Sequence, residues 1–286
     1  MDRAERIVFF VIACSLAVSF VCVAFLFFPQ GDAFPRLTFF DVGQGDAILA
    51  EIPNDSLQVL IDGGPDETIV EKIAGKLPPG DRVIDVVIVT HPHDDHLAGV
   101  IQVMKKYQVG LVVFADVPCE TPGCLAFAEE LKAANVPRLT AVRGQVIHLG
   151  SGCSFAVWHP FYSSGSAYKN INNSSIAGTL ECGGRPAFLA GDLEQEGEEE
   201  MLAYARDKEE LPKFGCSAIK IGHHGSKTAT TPALLDAVRP ARAVISAGLG
   251  NSFGHPHRDT LDLLHNRGIE ILRTDEIGDI ELPFDS

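Results

Sequence analysis

Residues 86–96 read VVIVTHPHDDH, so an apolar run ends directly in a hexapeptide rich in metal-binding side chains. His91, His93, Asp95 and His96 are potential ligands at the point where a strand leaves the core. Neutral imidazole and carboxylate oxygen are the ligands of catalytic zinc sites, which keep one coordination position open. On a tight loop, the two histidines that lie two positions apart can hold one ion, while Asp95 and His96 serve a second. The hexapeptide therefore predicts a metal site.

A two-metal site also needs a bridging carboxylate and one more histidine, and the later sequence supplies both. Asp192 ends the strand-like run RPAFLAGD, and the run SAIKIG leads directly into His223 and His224. Ligands at strand ends lie on a rigid scaffold, as a metal site requires. Asp46 and Asp62 also follow apolar runs, and they are either carboxylates that orient histidine N–H groups or turn aspartates beside glycine.

Short apolar or β-branched runs recur along the chain, with helical stretches between several of them. The strand-like runs extend from LTFFDV at Leu37 to ARAVISAG at Ala241, and the helical stretches are LAFAEELKAAN, GEEEMLAYA, TPALLDAV and TLDLLHNRG. This alternation predicts a layered α/β domain. Residues 161–174 form a long polar loop, and loops of that length often carry function.

The N-terminal segment has the composition of a membrane anchor. Residues 7–28 are uncharged and apolar, and they are long enough to cross a bilayer as a helix. We expect residues 1–30 to be a single-pass anchor and linker, because no good signal-peptide cleavage site follows the apolar stretch. Residues 31–286 are then the catalytic domain. Arg3 and Arg6 precede the stretch, so the positive-inside rule predicts an extracytoplasmic domain at the cell membrane.

The charge of the chain restricts how it could meet nucleic acid. A net charge of −15 argues against sequence-independent wrapping, which requires many lysine and arginine contacts to phosphates. Any nucleic acid is therefore expected to be a substrate held at one site.

The seven cysteines show no zinc-finger spacing, so they indicate no metal site. Cys119 and Cys124 lie close enough in sequence to form a disulfide if the domain is extracytoplasmic. Buried free thiols are the favoured interpretation.

Together the motifs resemble the metallo-β-lactamase superfamily, and within it the hydrolase domain of ComEC-type competence proteins. The similar elements are DVGQGDAIL, LIDGG, THPHDDHLAG, NNSS, FLAGD, GHHGSK and FGHPH, in order from Leu37 to about Glu281. The resemblance implies a four-layer αββα sandwich with its metal site at one edge of two sheets, preceded here by the single transmembrane helix. It also implies two divalent metal ions, with zinc as the first expectation and manganese as the alternative.

The resemblance also assigns roles to the candidate ligands. His91 and His93 would hold the first metal, and Asp95 and His96 would hold the second. Asp192 would bridge the two metals, and His224 would complete the set of ligands. Many superfamily members add a histidine to the first metal from the loop before the bridging aspartate. This sequence has no obvious equivalent, and His159, or Asn173 and Ser174 in its place, are the candidates.

The resemblance implies cleavage of phosphodiester bonds, and a nuclease acting on DNA is the favoured form of that activity. Two ions bridged by Asp192 would lower the pKa of a shared water for attack on phosphorus, and Asp95 would be essential. The leaving oxygen would be stabilised or protonated by His223, His255 or Lys227. His255, in FGHPH, is similar to a family position near the substrate.

Other functions remain open because a fold does not fix a reaction. The same metals serve lactamases, thioesterases and phosphorylcholine esterases, so the substrate could instead be another phosphodiester polymer of the cell wall or a small ester. A non-catalytic domain that binds DNA and feeds a separate channel protein is the other alternative. Competence proteins carry a many-helix channel, whereas the sequence here predicts one span, so the resemblance covers the hydrolase and not the transporter.

Overall fold

A computed structural model describes residues 35–52, 56–118, 120–161, 168–207 and 215–284, together with positions 15 and 19. The chain divides after Ala33, and the second unit, Phe34–Ser286, contains every element named below. Apart from those two positions, the expected anchor lies outside the described residues. No helix among the described residues is long and apolar enough to cross a membrane. The anchor therefore stays a prediction.

The first sheet has seven strands. They are β1 (Arg36–Phe39), β2 (Ile48–Ile52), β3 (Leu57–Ile61), β4 (Val83–Val89), β5 (Gln108–Phe114), β6 (Arg138–Thr140) and β14 (Ile280–Pro283). Their order is β14-β1-β2-β3-β4-β5-β6. The β1 strand pairs antiparallel with both β14 and β2, whereas β3 to β6 run parallel. The carboxyl ends of β3 and β4 therefore lie side by side at one edge of the sheet.

The second sheet also has seven strands. They are β7 (Val146–His148), β8 (Cys153–His159), β9 (Ala177–Cys182), β10 (Ala187–Leu189), β11 (Ala218–Lys220), β12 (Arg242–Ile245) and β13 (Glu270–Arg273). Their order is β13-β12-β11-β10-β9-β8-β7, and β10 to β13 run parallel. Asp192 and the two histidines at 223 and 224 follow β10 and β11, so neighbouring parallel strands deliver them to the same edge.

Seven α-helices accompany the sheets in the described part of the chain. They are α1 (Thr68–Ala74), α2 (Asp94–Lys106), α3 (Pro122–Ala134), α4 (Gln195–Asp207), α5 (Pro232–Val238), α6 (Arg258–Asn266) and α7 (Thr274–Ile277). Two of them begin with a capping threonine followed by proline. Thr121 accepts a hydrogen bond from the backbone N–H of Cys124, and Thr231 accepts one from that of Leu234. The four predicted helical stretches correspond to α3 to α6.

Three buried clusters show how the layers stack. The first joins the two sheets, because Phe39, Ile61 and Ile88 of one pack with Phe155 and Leu189 of the other. The second lies between the first sheet and helices α1 to α3, and the third lies between the second sheet and helices α4 to α6. Two sheets face to face with helices outside confirm the αββα sandwich that the sequence resemblance implied.

The sequence predicted free thiols at Cys119 and Cys124, and the prediction is wrong for Cys124. Cys153 and Cys182 form a disulfide between β8 and β9, where the antiparallel register places them directly opposite each other with Cα atoms 4.1 Å apart. Cys124 is also disulfide-bonded, whereas Cys119 lies outside the described residues. Cys216 is buried and free. The first pairing depends on strand register, which the sequence spacing does not reveal.

Candidate metal centre

The metal-binding motif spans a strand end and the first turn of a helix. His91 follows β4, and α2 begins at Asp94, so Asp95 and His96 lie on the helix. His91 and His93 precede the helix and belong to the loop predicted for them, whereas the helical position of Asp95 and His96 was not predicted. Helix initiation is favoured here because carboxylates in a first turn interact favourably with the helix dipole. The helix fixes the spacing of Asp95 and His96 more rigidly than a loop would.

The two halves of the domain meet at one oxygen of Asp192. Its Oδ2 lies 3.2 Å from Nε2 of His96, 3.3 Å from Nε2 of His224 and 3.9 Å from Nε2 of His91. The Nε2 atom of His224 also lies 3.2 Å from Oδ2 of Asp95. Asp95, His96, Asp192 and His224 thus offer ligand atoms within 4.8 Å of one another, and we call these residues the four-ligand cluster.

Two buried atoms of this cluster indicate that a cation fits. Nε2 of His96 and Oδ1 of Asp192 have no hydrogen-bond partner among the described residues. Leaving buried polar atoms unpaired costs free energy, so such atoms call for an explanation. Imidazole nitrogen and carboxylate oxygen are suitable ligands for zinc and for other divalent transition ions. The donor set therefore fits the metal that the sequence predicted.

The position for the other metal is less complete. Nε2 of His91 and Nδ1 of His93 lie 3.1 Å apart. His159 instead places Nδ1 2.9 Å from the carbonyl oxygen of Ser175, while its Nε2 lies 3.3 Å from the Tyr168 hydroxyl. Within the described residues its hydrogen bonds and ring contacts do not include the histidine pair.

The alternative candidates are also engaged elsewhere. The Asn173 side chain accepts a hydrogen bond from the backbone N–H of Glu194, and the Ser174 hydroxyl donates to the carbonyl of Ile171. The described contacts therefore bring none of these three candidates to the His91 and His93 pair, whereas Oδ2 of Asp192 lies 3.9 Å from Nε2 of His91.

Asp62 orients the His96 ring through the ring nitrogen that faces away from the four-ligand cluster. Nδ1 of His96 lies 2.8 Å from Oδ2 of Asp62, and the hydroxyl of Thr90 donates to the same oxygen over 2.7 Å. The backbone N–H of Thr90 bonds to the other oxygen over 2.8 Å. This arrangement turns Nε2 of His96 toward the cluster. It is the orienting role that the sequence left open for Asp62.

A buried lysine is one residue of the site that sequence reasoning missed. Lys220 is 1% exposed and forms an ion pair with Asp46, and its Nζ lies 3.7 Å from Oδ1 of Asp192. Burial alone would lower the pKa of Lys220, but the carboxylates of Asp46 and Asp192 outweigh burial and raise it. The available signal was a single lysine inside the apolar run SAIKIG. A lysine is rarely fully buried unless it is paired.

Burial and charge set the protonation of the ligands in opposite directions. Burial lowers the pKa of His91 well below its ordinary value, which favours the neutral form that binds metals. Burial would also lower the pKa of His96, but the carboxylates of Asp192 and Asp62 raise it well above its ordinary value. The nearby carboxylates thus favour the protonated form of His96, whereas burial favours the neutral form of His91.

Three residues of the site have left-handed backbone conformations that are uncommon outside glycine. The φ angle is +58° at Asp62, +47° at His223 and +53° at His224. Such conformations cost free energy and concentrate at functional sites. At Gly225, φ is +82°, and an added Cβ would lie 2.5 Å from Cβ of Pro256, so a side chain would not fit. The segment GHHGS is therefore shaped to present its two histidines.

The three candidates for handling the leaving group occupy different positions. His223 places Nδ1 3.0 Å from Oε1 of Glu194, to which the Asn172 amide also donates over 2.7 Å. The His255 ring centroid lies 5.3 Å from that of His223. Burial, together with neighbouring His223, lowers the pKa of His255 to about 4. Glu194 could not be singled out from the sequence, because it lies among other glutamates.

Lys227 lies at the margin of the site. It is exposed, and its backbone N–H donates to Nδ1 of His257 over 3.1 Å. No hydrogen bond or ion pair within the described residues joins its side chain to the four-ligand cluster. Its catalytic role stays a prediction.

Comparisons with known proteins agree with this geometry. Residues 40–248 match the family model described as "Metallo-beta-lactamase superfamily". The chain is 31% identical over 260 residues to ComE operon protein 3 of Bacillus subtilis (strain 168), covering 85% of this chain and 32% of that protein. It is 29% identical over 263 residues to Competence protein ComA of Neisseria gonorrhoeae, covering 88% of this chain and 32% of that protein.

The chain thus spans about a third of the length of the curated relatives that it matches. Among solved structures, the metallo-beta-lactamase fold protein YhfI from Bacillus subtilis superimposes with a TM-score of 0.56 at 11% identity, covering 87% of this chain and 99% of that one. This likeness concerns the fold alone.

Proposed function

This chain belongs to the metallo-β-lactamase superfamily and has ComEC-type competence proteins as relatives, and we propose that it is a metal-dependent hydrolase that cleaves phosphodiester bonds in DNA. The observation that carries the proposal is the single oxygen of Asp192 shared by His96, His224 and, at longer range, His91. A carboxylate placed between histidines from both halves of the domain suits a bridge between two ions.

The ligand residues divide into two groups around that bridge. The four-ligand cluster would hold one ion, while His91 and His93 would hold the other with Asp192. We propose zinc as the metal, with manganese as the alternative. When bound, such ions stabilise negative charge on phosphoryl oxygens and make a water nucleophilic near neutral pH. Asp62 keeps the His96 ring aligned for this set, and Lys220 balances the charge of Asp46.

His223 is the residue best placed to hand a proton to the leaving oxygen. Glu194 holds Nδ1 of His223, and the Asn172 amide fixes Glu194 in turn. The other ring nitrogen, Nε2, can then carry the transferred proton. His255 is the second candidate because its ring lies beside His223 and its Nδ1 has no hydrogen-bond partner in the described ranges.

DNA is proposed as the substrate because the matched relatives are named as competence proteins. We further propose that residues 1–30 anchor the chain in the cell membrane, with the domain extracytoplasmic. The Cys153–Cys182 disulfide and the disulfide-bonded Cys124 support that location, since disulfides persist in oxidising compartments. A separate channel protein would then be a partner.

The test is degradation of labelled single-stranded and double-stranded DNA by the purified chain, stripped with a chelator and resupplied with zinc or manganese. Cleavage should return with metal and vanish in Asp95→Ala. Asp94→Ala is the matched control, because it removes the neighbouring carboxylate, which is exposed and outside the four-ligand cluster. Its activity should persist.

Two other results would redirect the assignment. No cleavage of DNA despite bound metal would move the search to cell-wall phosphodiesters and small esters. DNA binding without stoichiometric metal would favour a non-catalytic binding domain.

A further inference from the structure

A loop beside the metal centre exposes two large apolar side chains. Leu249 is 86% exposed and Phe253 is 63% exposed, the two highest values for large hydrophobic residues in the described part of the chain. Both lie between β12, which ends at Ile245, and α6, which begins at Arg258. Isolated apolar side chains on a surface need no explanation, but two on one short loop next to a reactive centre suggest a contact with a ligand.

The loop is held in place by its own hydrogen bonds. The Asn251 amide donates to the carbonyl oxygens of Gly248 and His255 over 2.9 and 2.6 Å. Its side-chain oxygen accepts from the backbone N–H groups of Phe253 and His255, both over 3.1 Å. The backbone N–H of Gly248 also donates to the Gln44 side chain over 3.1 Å. Phe253 is therefore presented to solvent by a fixed backbone.

The exposed ring is continuous with the proposed catalytic residues. The rings of Phe253 and His255 are stacked, with centroids 5.9 Å apart and an angle of 25° between their planes. The His255 ring lies 5.3 Å from that of His223 and 6.3 Å from that of His224, a member of the four-ligand cluster. If a ligand stacks on the Phe253 ring, the groups attached to its stacked part would consequently lie near the four-ligand cluster.

Two cationic residues adjoin the histidine rings of this loop. Lys227 is exposed, and its backbone is hydrogen-bonded to the ring of His257, which lies 4.9 Å from the ring of His255. Arg258 follows; 91% of its side chain is exposed, and its Nε lies 3.6 Å from Oδ2 of Asp262 in a solvent-exposed ion pair. Aromatic faces combined with local cations are what single-stranded nucleic acid requires, because bases stack and phosphates pair with the charges. The local cations allow this contact despite the acidic composition of the chain.

We propose that Phe253 is a stacking platform for an unpaired base of the substrate, at the nucleotide that flanks the scissile phosphate. This inference rests on the proposed function, since it assumes a nucleic acid substrate. The phosphate beside the stacked base is directed toward the four-ligand cluster, and Lys227 neutralises the next phosphate. Phe253 therefore selects nucleotides with an accessible base over other phosphodiesters.

The test compares two single-stranded DNA oligonucleotides that differ by one abasic nucleotide at the scissile position. Binding is measured by fluorescence anisotropy, and cleavage is measured as kcat/KM with metal present. The chain should prefer the complete strand, and Phe253→Ala should lose about tenfold to hundredfold of that preference, the range expected for base stacking. Phe253→Trp should restore it. Val146→Ala is the matched control, because Val146 is 50% exposed on β7, at the far edge of the second sheet.

The outcomes separate this inference from the proposed function. If Phe253→Ala retains the full preference for the complete strand in binding, the platform assignment is overturned, whatever the cleavage assay shows. If the preference is lost in Phe253→Ala but no variant or parent cleaves DNA, the platform stands and the proposed nuclease function fails. Because Phe253 is exposed, unchanged thermal unfolding and metal content in Phe253→Ala would exclude misfolding as the cause.

Discussion

At the scale of single residues, the two metal positions are unequal. The four-ligand cluster contains ligand atoms from four side chains, whereas His91 and His93 gain no further histidine among the described residues. We therefore predict that two equivalents of zinc bind with different affinities. Calorimetric titration of the metal-free chain should resolve a tighter and a weaker event.

Single ligand variants should separate the two events. His93→Ala should abolish the weaker event and leave the tighter one, whereas His224→Ala should abolish the tighter one. Thr228→Ala is the control and should keep both binding events, because Thr228 is exposed and lies close to His224 in the sequence. Two identical events, or loss of the same event in both histidine variants, would contradict the assignment of ligands.

His159 supplies a prediction about acid stability. Burial lowers the pKa of His159 from the ordinary 6.5 to about 4. Between these two pH values, His159 is protonated in the unfolded chain and neutral in the folded chain. The free energy of unfolding should thus fall as the pH drops from 6.5 to 4. The size of this contribution is up to about 3 kcal/mol, since each pKa unit is worth about 1.4 kcal/mol.

The measurement is urea unfolding of the metal-free protein across that pH window. In His159→Gln, the free energy of unfolding should fall less steeply with decreasing pH than in the parent chain. This comparison of slopes does not depend on how stable the variant is at neutral pH. His265→Gln, at an exposed histidine, is the matched control and should keep the parent slope. An unchanged slope in His159→Gln would rule out the protonation argument.

The ligand residues themselves could be recognised from sequence, whereas their supporting residues could not. The motif at 91–96 contains several metal-ligand side chains within six residues. Asp192 and His224 each follow an apolar run that forms a strand. Lys220 is identified only when β11 is known to be buried on both faces. Glu194 is identified only when its distance to His223 is known. Such contacts join residues far apart in the chain, so local composition does not encode them.

At the scale of elements, the position of α2 depends on glycine. A Cβ built on Gly99 would lie 1.9 Å from the carbonyl oxygen of Gly63, so α2 packs directly on the backbone that follows β3. Gly99→Ala should push the helix away and destabilise the fold by about 1–3 kcal/mol. Metal affinity should fall as well, because the first turn of α2 carries Asp95 and His96.

Gly75→Ala is the matched control for that substitution. Gly75 ends α1 with a φ of −75°, and an added Cβ would find its nearest atom 3.4 Å away, at the carbonyl oxygen of Lys72. This change should raise stability by about 0.4–1 kcal/mol by restricting the unfolded chain. Chemical denaturation and metal titration of both variants would check the comparison; equal metal affinity in the two would refute the proposed link between packing and site.

Element prediction failed where two signals overlapped. Strands β1 to β4 are predicted from the sequence, but helix α2 is not, because its first turn coincides with the metal motif at 91–96. Strands β6 and β7 were also missed, since each has only three residues and most of their side chains are exposed or half-buried. Short edge strands owe their conformation to a neighbouring strand, which single-sequence periodicity does not report.

At the scale of the whole molecule, the metal centre joins the two halves of the sandwich. Asp46 precedes β2 of the first sheet, whereas Lys220 ends β11 of the second, and the two form a buried ion pair. Lys220→Met should leave Asp46 and Asp192 without their cation and destabilise the metal-free protein by about 3–5 kcal/mol. The loss should be smaller with saturating metal, because a bound cation replaces positive charge in the same pocket.

Lys72→Met is the matched control for Lys220→Met. Lys72 forms an ion pair with Asp279 over 2.6 Å, but both side chains are partly exposed. Surface pairs are worth only about 0–1 kcal/mol, so this variant should be nearly neutral with or without metal. Thermal unfolding in chelator and in zinc would compare them. If zinc does not reduce the loss of stability in Lys220→Met, then Lys220 does not stabilise the fold by balancing the charge of Asp46 and Asp192.

The pairing of the first strand with the last has a consequence for folding kinetics. Phe39 of β1 lies opposite Ile280 of β14, so almost the whole domain separates the two partners along the chain. Closing such a loop is slow because entropy must be lost before the contact is gained. During synthesis, β1 would therefore remain an unpaired sheet edge until residues 280–283 leave the ribosome. Such an edge can pair with other chains, so we expect the incomplete domain to aggregate more readily than the complete one.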